Sequence, residues 1–324
     1  MAKFKAWTYT TPGYPQCLSQ TTLSLPEILS TTELLVQVEA AAVNPVDIQL
    51  MNVPLWSLPY LNYVKGVGCD FAGTVLKAGE ESSFSVGDEV FGLIMAPGIG
   101  TVGEIAIVDT KSCVVLKKPQ DWSWVQAAAL PLVWLTAWTC IASVESYIGE
   151  TKTVAILGGS SATGMYTVFL AKERGWKVIS TCSGRNIDFV KSMGASEVVD
   201  YTQESVPDRI RAAKPDAIID CVGGTECLGI AKRYVTIVGD KTSRNTMGGS
   251  ALYLTSPRMV LRWLYGKTGY GEVYDCIMLE GKKEYLEEAT KLPQDMIVID
   301  TSSAAFLTAL LSASNPSGIH KCGL

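Results

Sequence analysis

Histidine is almost missing from this chain: there is one among 324 residues, at position 320. A zinc site built on imidazole, or a histidine acid–base in the body of the protein, is thereby excluded. Paired cysteines are missing too. The nine thiols, at Cys17, Cys69, Cys113, Cys140, Cys182, Cys221, Cys227, Cys276 and Cys322, fall singly with no C-x-x-C spacing, as expected of reduced, mostly structural cysteines of an intracellular protein. There is no excess of positive charge, since 27 Lys and Arg face 32 Asp and Glu for a formal net charge of −5. No Lys/Arg cluster is present to neutralise a phosphate backbone, so no nucleic-acid partner is expected. The opening MAKFKAWTYTTPG has neither the apolar core of a signal peptide nor the Arg-rich character of a transit peptide, which predicts a cytoplasmic location. One uncharged run, Trp122 to Val144, is long, but Gln126, Pro131, Thr136, Thr139 and Ser143 interrupt it and no basic cluster flanks it. Two buried helical pieces broken at Pro131 are expected there, and no membrane span.

What the chain does contain, 48% hydrophobic and 18% charged residues over a length sufficient for two cores, predicts two packed domains. Residues 1–125 read as β-rich. In ELLVQVEAAAV, Glu33 to Val43, alternation places Val36, Val38, Ala40 and Ala42 on one face and Gln37 and Glu39 on the other, which predicts a half-exposed strand ended by Asn44-Pro45. Short strands separated by glycine turns follow in VGCDFAGTV and around Gly87-Asp88 and Val90-Phe91-Gly92. From 126 to 279 the texture changes to strands alternating with amphipathic helices: KVISTC, EVVDY, AIIDCV and YVTIV are strands of a parallel α/β sheet. In such sheets ligands bind at the C-terminal ends of the strands.

The stretch TVAILGGSSATG, Thr153 to Gly164, is strand, tight turn and helix, with a G-x-x-G-x-x-G pattern in which Ser161 takes the middle glycine's place. Gly159, Ser160, Ser161, Ala162, Thr163 and Gly164 are its candidate pyrophosphate contacts, through backbone N–H groups at a helix N-terminus. A fold of this kind that binds NAD carries Asp or Glu about 20 residues further on to hold the ribose 2′-OH. Here Ser183-Gly184-Arg185-Asn186 stand in that place. A hydroxyl and a guanidinium suit a 2′-phosphate, so NADP(H) is preferred over NAD. Tyr201, at the end of the next strand, is a candidate to close the same pocket, or else a half-buried aromatic.

Taken together, NPVD (44–47), GCDFAG (68–73), FSVGDEVFG (84–92), AAALP with LTAW (127–138), GGSSATG, TCSGRNIDFVKSMGA (181–195) and DCVGG (220–224) resemble the zinc-free medium-chain dehydrogenase/reductase superfamily. The likeness is to quinone-oxidoreductase-like proteins and fungal trans-acting enoyl reductases, over about residues 1–295. It implies a GroES-like substrate domain, residues 1–125 completed by 280–324, and a Rossmann domain over 126–279. The positions matching the ligands of zinc-dependent relatives are Asn44, Cys69-Asp70 and Leu132, so no tetrahedral metal set is expected, and Cys69 with Asp47 or Asp70 offers too few ligands.

The resemblance implies NADPH-dependent hydride transfer to an activated C=C of an enone or enoyl group, or to a quinone. It puts Asn44, Pro45, Val46 and Asp47, together with Val222, Gly223 and Val238, against the cofactor, and Asn44 and Thr136 beside the nicotinamide as neutral donors to a developing oxyanion. Asp47 is expected to position its loop. Tyr60, in the NVPLWSLPYLNYVK segment, is a candidate proton donor; the apolar residues around it, Trp56 and Leu58, equally describe a hydrophobic entrance and a greasy substrate. A homodimer is usual in the resembling family, and a polyketide synthase is a candidate partner. The last residues match least well: MIVID, Met296 to Asp300, runs almost directly into the segment 301–314, Lys321-Cys322 is a candidate final cofactor contact, and pairing of the last strand is in question. An NADPH-binding protein of the same fold without turnover is the alternative. A short-chain dehydrogenase is disfavoured because the chain has no Y-x-x-x-K.

Overall fold

A computed structural model describes residues 2–26, 29–95, 98–240, 256–299 and 319–320. These fall into two compact units, one holding residues up to Leu132 and those from Gly281 onward, the other beginning at Val133 and closing at Glu280.

The first unit is β-rich. Its strands are β1 (Lys3–Tyr9), β2 (Ser19–Ser24), β3 (Glu33–Ala42), β4 (Lys65–Gly66), β5 (Asp70–Ala78), β6 (Glu89–Leu93), β7 (Ile105–Asp109) and β8 (Val114–Lys117), with helix α1 (Pro45–Met51) after β3 and α2 (Trp124–Ala129) after β8. β3 pairs antiparallel with β5 on one side and β7 on the other, while β1 pairs antiparallel with β2 and β4. This central place corrects the half-exposed reading of β3. Only Gln37 is exposed; Leu34 to Val36 and Ala40 to Ala42 are buried whichever way they point. The adjacent Leu34 and Leu35 enter two different cores, Leu34 with Phe71, Val75 and Val90, and Leu35 with Phe4, Ala6 and Ile105. A strand covered on both faces loses its alternation signal.

The uncharged run becomes α2 and α3 (Pro131–Glu145), with Leu130 between them. Ser123 caps α2 by accepting the Gln126 N–H at 3.2 Å, and the Gln126 side chain accepts the Ser123 N–H at 2.9 Å. Among the described residues no helix is long and apolar enough to cross a membrane.

In the second unit, β9 (Thr153–Leu157), α4 (Ala162–Glu173), β10 (Lys177–Cys182), α5 (Ile187–Ser192), β11 (Glu197–Asp200), α6 (Val206–Ala213), β12 (Ala217–Asp220), β13 (Arg233–Thr236), α7 (Pro257–Lys267) and β14 (Val273–Cys276) build a six-stranded sheet in the order β11-β10-β9-β12-β13-β14. Every described pairing in it is parallel. The order reverses beside β9, so the crevice of this doubly wound sheet opens at the C-terminal end of β9. All five residues of β9 are buried, as a strand covered by helices on both faces requires. On one face Trp134 of α3 meets Tyr166 of α4 edge-on, with centroids 5.5 Å apart.

Within the first unit, α8 (Lys283–Ala289) packs on β8. The backbone of β15 (Ile319–His320) pairs parallel with Ala41 and Ala42 of β3, which answers the question of the last strand. Lys321 and Cys322 lie outside the described residues.

Trp134 is 1% exposed. Its truncation to Ala is expected to cost about 3–5 kcal/mol, because the cavity would open between α3 and the Tyr166 and Phe169 rings of α4. Equilibrium denaturant unfolding followed by far-UV dichroism checks this; a loss below ~1 kcal/mol would contradict the packing described.

Candidate active site

The turn after β9 is built by close approach. Gly158 has φ +83°, and a Cβ there would lie 2.2 Å from Val222 Cγ1. A Cβ on Gly159 would meet Ser180 Oγ at 2.1 Å, and one on Gly164 would meet the Gly158 carbonyl oxygen at 2.1 Å. Ser161 is the N-cap of α4: its hydroxyl accepts the Gly164 N–H at 3.1 Å and donates to Gly158 O at 2.7 Å. That explains the departure from glycine, because the side chain is turned into the bend. The N–H groups of Ala162 and Thr163 precede the first residue able to bond back along the helix, so they and the positive end of α4 are free to hold an anion. These residues fit a pyrophosphate.

The neighbouring strand ends lie side by side, since Cys182 of β10 pairs with Asp200 of β11 and the Tyr201 N–H donates to Cys182 O at 3.1 Å. Ser183 and Asn186 are half-buried, Gly184 and Arg185 exposed, and Tyr201 is 56% exposed, more open than a half-buried aromatic. At the other side of β9, Asp220 organises two loops. Its Oδ1 accepts the N–H groups of Val222 (3.0 Å) and Gly223 (2.8 Å), and its Oδ2 accepts the Thr236 hydroxyl at 2.9 Å. Thr236 Oγ1 in turn accepts the N–H groups of Val238 and Gly239. The candidate contacts Val222, Gly223 and Val238 are thus held by one buried carboxyl. Desolvation pushes its pKa up, against the pull of those donors. Neither Asp220 nor Asp200 was singled out from the sequence as a site residue. The available signal was an acid closing an apolar strand, AIID and EVVD, at the ligand end of a parallel sheet.

In the first unit Asn44 caps α1, and its N–H donates to Asp47 Oδ2 at 2.7 Å. Asn44 Nδ2 donates to Asp70 Oδ2 at 2.7 Å, and Asp70 Oδ1 accepts the Leu132 N–H at 2.9 Å. The Asn44 amide is therefore fixed between Asp70 and the α1 capping box, with one Nδ2 N–H left to face other groups. Cys69 donates its S–H to Asp47 Oδ1 at 3.4 Å, and burial raises its pKa so that it stays a thiol. Burial also raises both carboxyls, Asp47 to about 6 and Asp70 well above the ordinary range. Pro45 and Val46 are half-buried on α1. Among the described residues no group of three or more His, Cys, Asp or Glu has the arrangement to hold a metal ion. Thr136, 8% exposed, lies on α3 in the second unit, beyond the point where the chain leaves the first.

Tyr60 is 76% exposed on the turn Pro59–Leu61. Beneath it the buried Lys65 ammonium donates to Leu61 O (2.6 Å) and Tyr63 O (2.9 Å), and lies 4.6 Å and 4.1 Å from the Trp56 and Tyr63 ring centroids. This cation fixes the loop from inside and leaves Tyr60 at its surface.

A carboxyl whose pKa rises from 3.8 unfolded to about 6 folded keeps its proton longer in the native state. Its contribution to stability is therefore greatest below pH 4 and falls as pH climbs toward 6, by up to about 3 kcal/mol for two pKa units. Asp47→Asn, which stays neutral, is expected to gain stability relative to wild type between pH 4 and pH 7. Denaturant unfolding of both proteins across that range checks it; a constant difference would place Asp47 in contact with water.

The Alcohol dehydrogenase GroES-like domain model matches residues 30–119 and the Zinc-binding dehydrogenase model residues 162–242. A mitochondrial NAD(P)H oxidoreductase of Mus musculus is 32% identical over 72% of this chain, which spans 65% of that protein's length. The 2-methylene-furan-3-one reductase of Solanum lycopersicum is 30% identical over 90% of this chain and 71% of its own. A trans-enoyl reductase of Gibberella fujikuroi is 30% identical over 75% of this chain and 74% of its own. Among solved structures, the quinone oxidoreductase of Coxiella burnetii superposes with a TM-score of 0.75 at 24% identity, over the whole of both chains. A GroES-like unit, a Rossmann unit with a glycine-lined turn and these relatives agree: the chain belongs to the medium-chain dehydrogenase/reductase superfamily.

Proposed function

We propose that this chain is an NADPH-dependent reductase of activated C=C bonds, in enones or enoyl thioesters, or of quinones, with a hydrophobic acceptor. The observation that carries the reading is the anion-ready N-terminus of α4 with Ser183, Arg185 and Tyr201 at the next strand ends. The dinucleotide's phosphates fit the first place and a 2′-phosphate the second. When bound, NADPH supplies the hydride. The residues of this chain do the rest. Asn44, whose amide Asp70 orients, and the Thr136 hydroxyl donate hydrogen bonds to the oxygen on which charge develops. The apolar loop with Trp56 and Leu58 receives the greasy part of the acceptor, and Tyr60 or water returns the proton. The names of the tomato and Gibberella relatives, both reductases, support the substrate class.

Titration with NADPH and NADH, then consumption assays with crotonyl-type thioesters, enones and quinones, test this. Tighter binding of NADPH and its oxidation by one acceptor class are expected. Failure to bind either nucleotide overturns the reading, and binding without consumption across the panel assigns a cofactor-binding protein. Arg185→Asp is expected to shift preference toward NADH. Asn44→Ala is expected to lower kcat by about 100-fold, the usual loss for one oxyanion donor, with NADPH affinity little changed.

A further inference from the structure

Asp200 is the last residue of β11, and no role has been given to it so far. Its Oδ1 accepts both the Thr202 N–H at 2.9 Å and the Thr202 hydroxyl at 2.8 Å. Its Oδ2 lies only 2.6 Å from where a Cβ on Gly184 would stand, so the carboxylate is seated directly against the Gly184 backbone. The bonds from Thr202 hold its pKa below the ordinary range, so the group is ionised at neutral pH. Gly184 lies between Ser183 and Arg185, and Thr202 follows Tyr201. One carboxylate thus bonds the turn that presents the phenol and packs against the turn that presents the hydroxyl and guanidinium.

We infer that Asp200 is a positioning residue for 2′-phosphate recognition: it ties the Ser183–Asn186 turn to the Tyr201–Thr202 turn, so that Ser183, Arg185 and Tyr201 converge on one phosphate. This rests on the cofactor reading above. Two effects of the carboxylate oppose each other, since its charge repels a phosphate while its hydrogen bonds order the groups that bind one. The site is open to water, where repulsion between charges is screened, and the charge is already engaged by the Thr202 N–H and hydroxyl. Ordering two turns against each other in advance removes a cost that binding would otherwise carry. Positioning therefore outweighs repulsion. Gly184 is needed for the same reason, because a side chain there would displace the carboxylate.

The test uses calorimetry on the full chain with adenosine 2′,5′-bisphosphate and adenosine 5′-monophosphate, which differ in the 2′-phosphate and need no turnover. Wild type is expected to prefer the bisphosphate. Asp200→Ala is expected to weaken the bisphosphate about tenfold and the monophosphate less than twofold, a split that general destabilisation does not produce. Asp200→Asn, which keeps an acceptor and removes the charge, is expected to fall between wild type and Asp200→Ala. Equal discrimination in wild type and Asp200→Ala overturns the inference, as does tighter bisphosphate binding by Asp200→Asn, which would mean that repulsion governs. If wild type binds neither nucleotide, the cofactor reading fails and this inference with it; if it binds both equally, the 2′-phosphate pocket itself is wrong.

Discussion

The contact on which the second unit turns is the approach of α4 to the end of β9. Gly164 sits so close to the Gly158 carbonyl that no side chain fits between them, and Gly158 itself takes a left-handed φ of +83° to turn the chain. Without that approach the helix N-terminus would point past the crevice, and its first N–H groups would be spent on water. With it, the positive end of a twelve-residue helix is aimed at the point where the strand order reverses. Ser161 keeps the bend closed through its hydroxyl, a task that glycine at the same place cannot perform.

Buried or bridging carboxyls do the corresponding work elsewhere. Asp220 ties the β12 and β13 loops, Asp70 fixes the Asn44 amide and the start of α3, Asp47 accepts the N–H of the α1 cap residue Asn44, and Asp200 accepts the Thr202 N–H after β11. Each accepts backbone or amide N–H groups that would otherwise be unpaired at the ends of strands and helices. The fully buried members carry raised pKa values because desolvation outweighs those hydrogen bonds, while the half-buried Asp200 is pulled the other way. The same residue type therefore holds its proton more or less readily according to its depth.

The first unit solves a different problem. Its central strand is covered on both faces, so adjacent residues of β3 enter separate cores and the sheet closes around apolar side chains on either side. The loop that follows α1 has little apolar interior of its own and is fixed instead by the ammonium of Lys65, seated among aromatic rings and two carbonyls. The charge of this buried lysine is met on several sides, and burial still lowers its pKa.

The sequence by itself determined five strands of the parallel sheet to within a residue or two, though not the edge strand β14, and the break at Pro131 and the glycine turn, because these follow from local periodicity, from proline's missing donor and from glycine's missing Cβ. It also determined the family, through short motifs in a fixed order. Tertiary structure alone decided that β3 is buried on both faces, that Ser161 faces inward, that Tyr60 stands in solvent, and that Asp220 holds two loops together. Periodicity reports one face of one element at a time. A carboxylate's role depends on which N–H groups other strands bring to it, and those partners are distant in the chain until the sheet has formed.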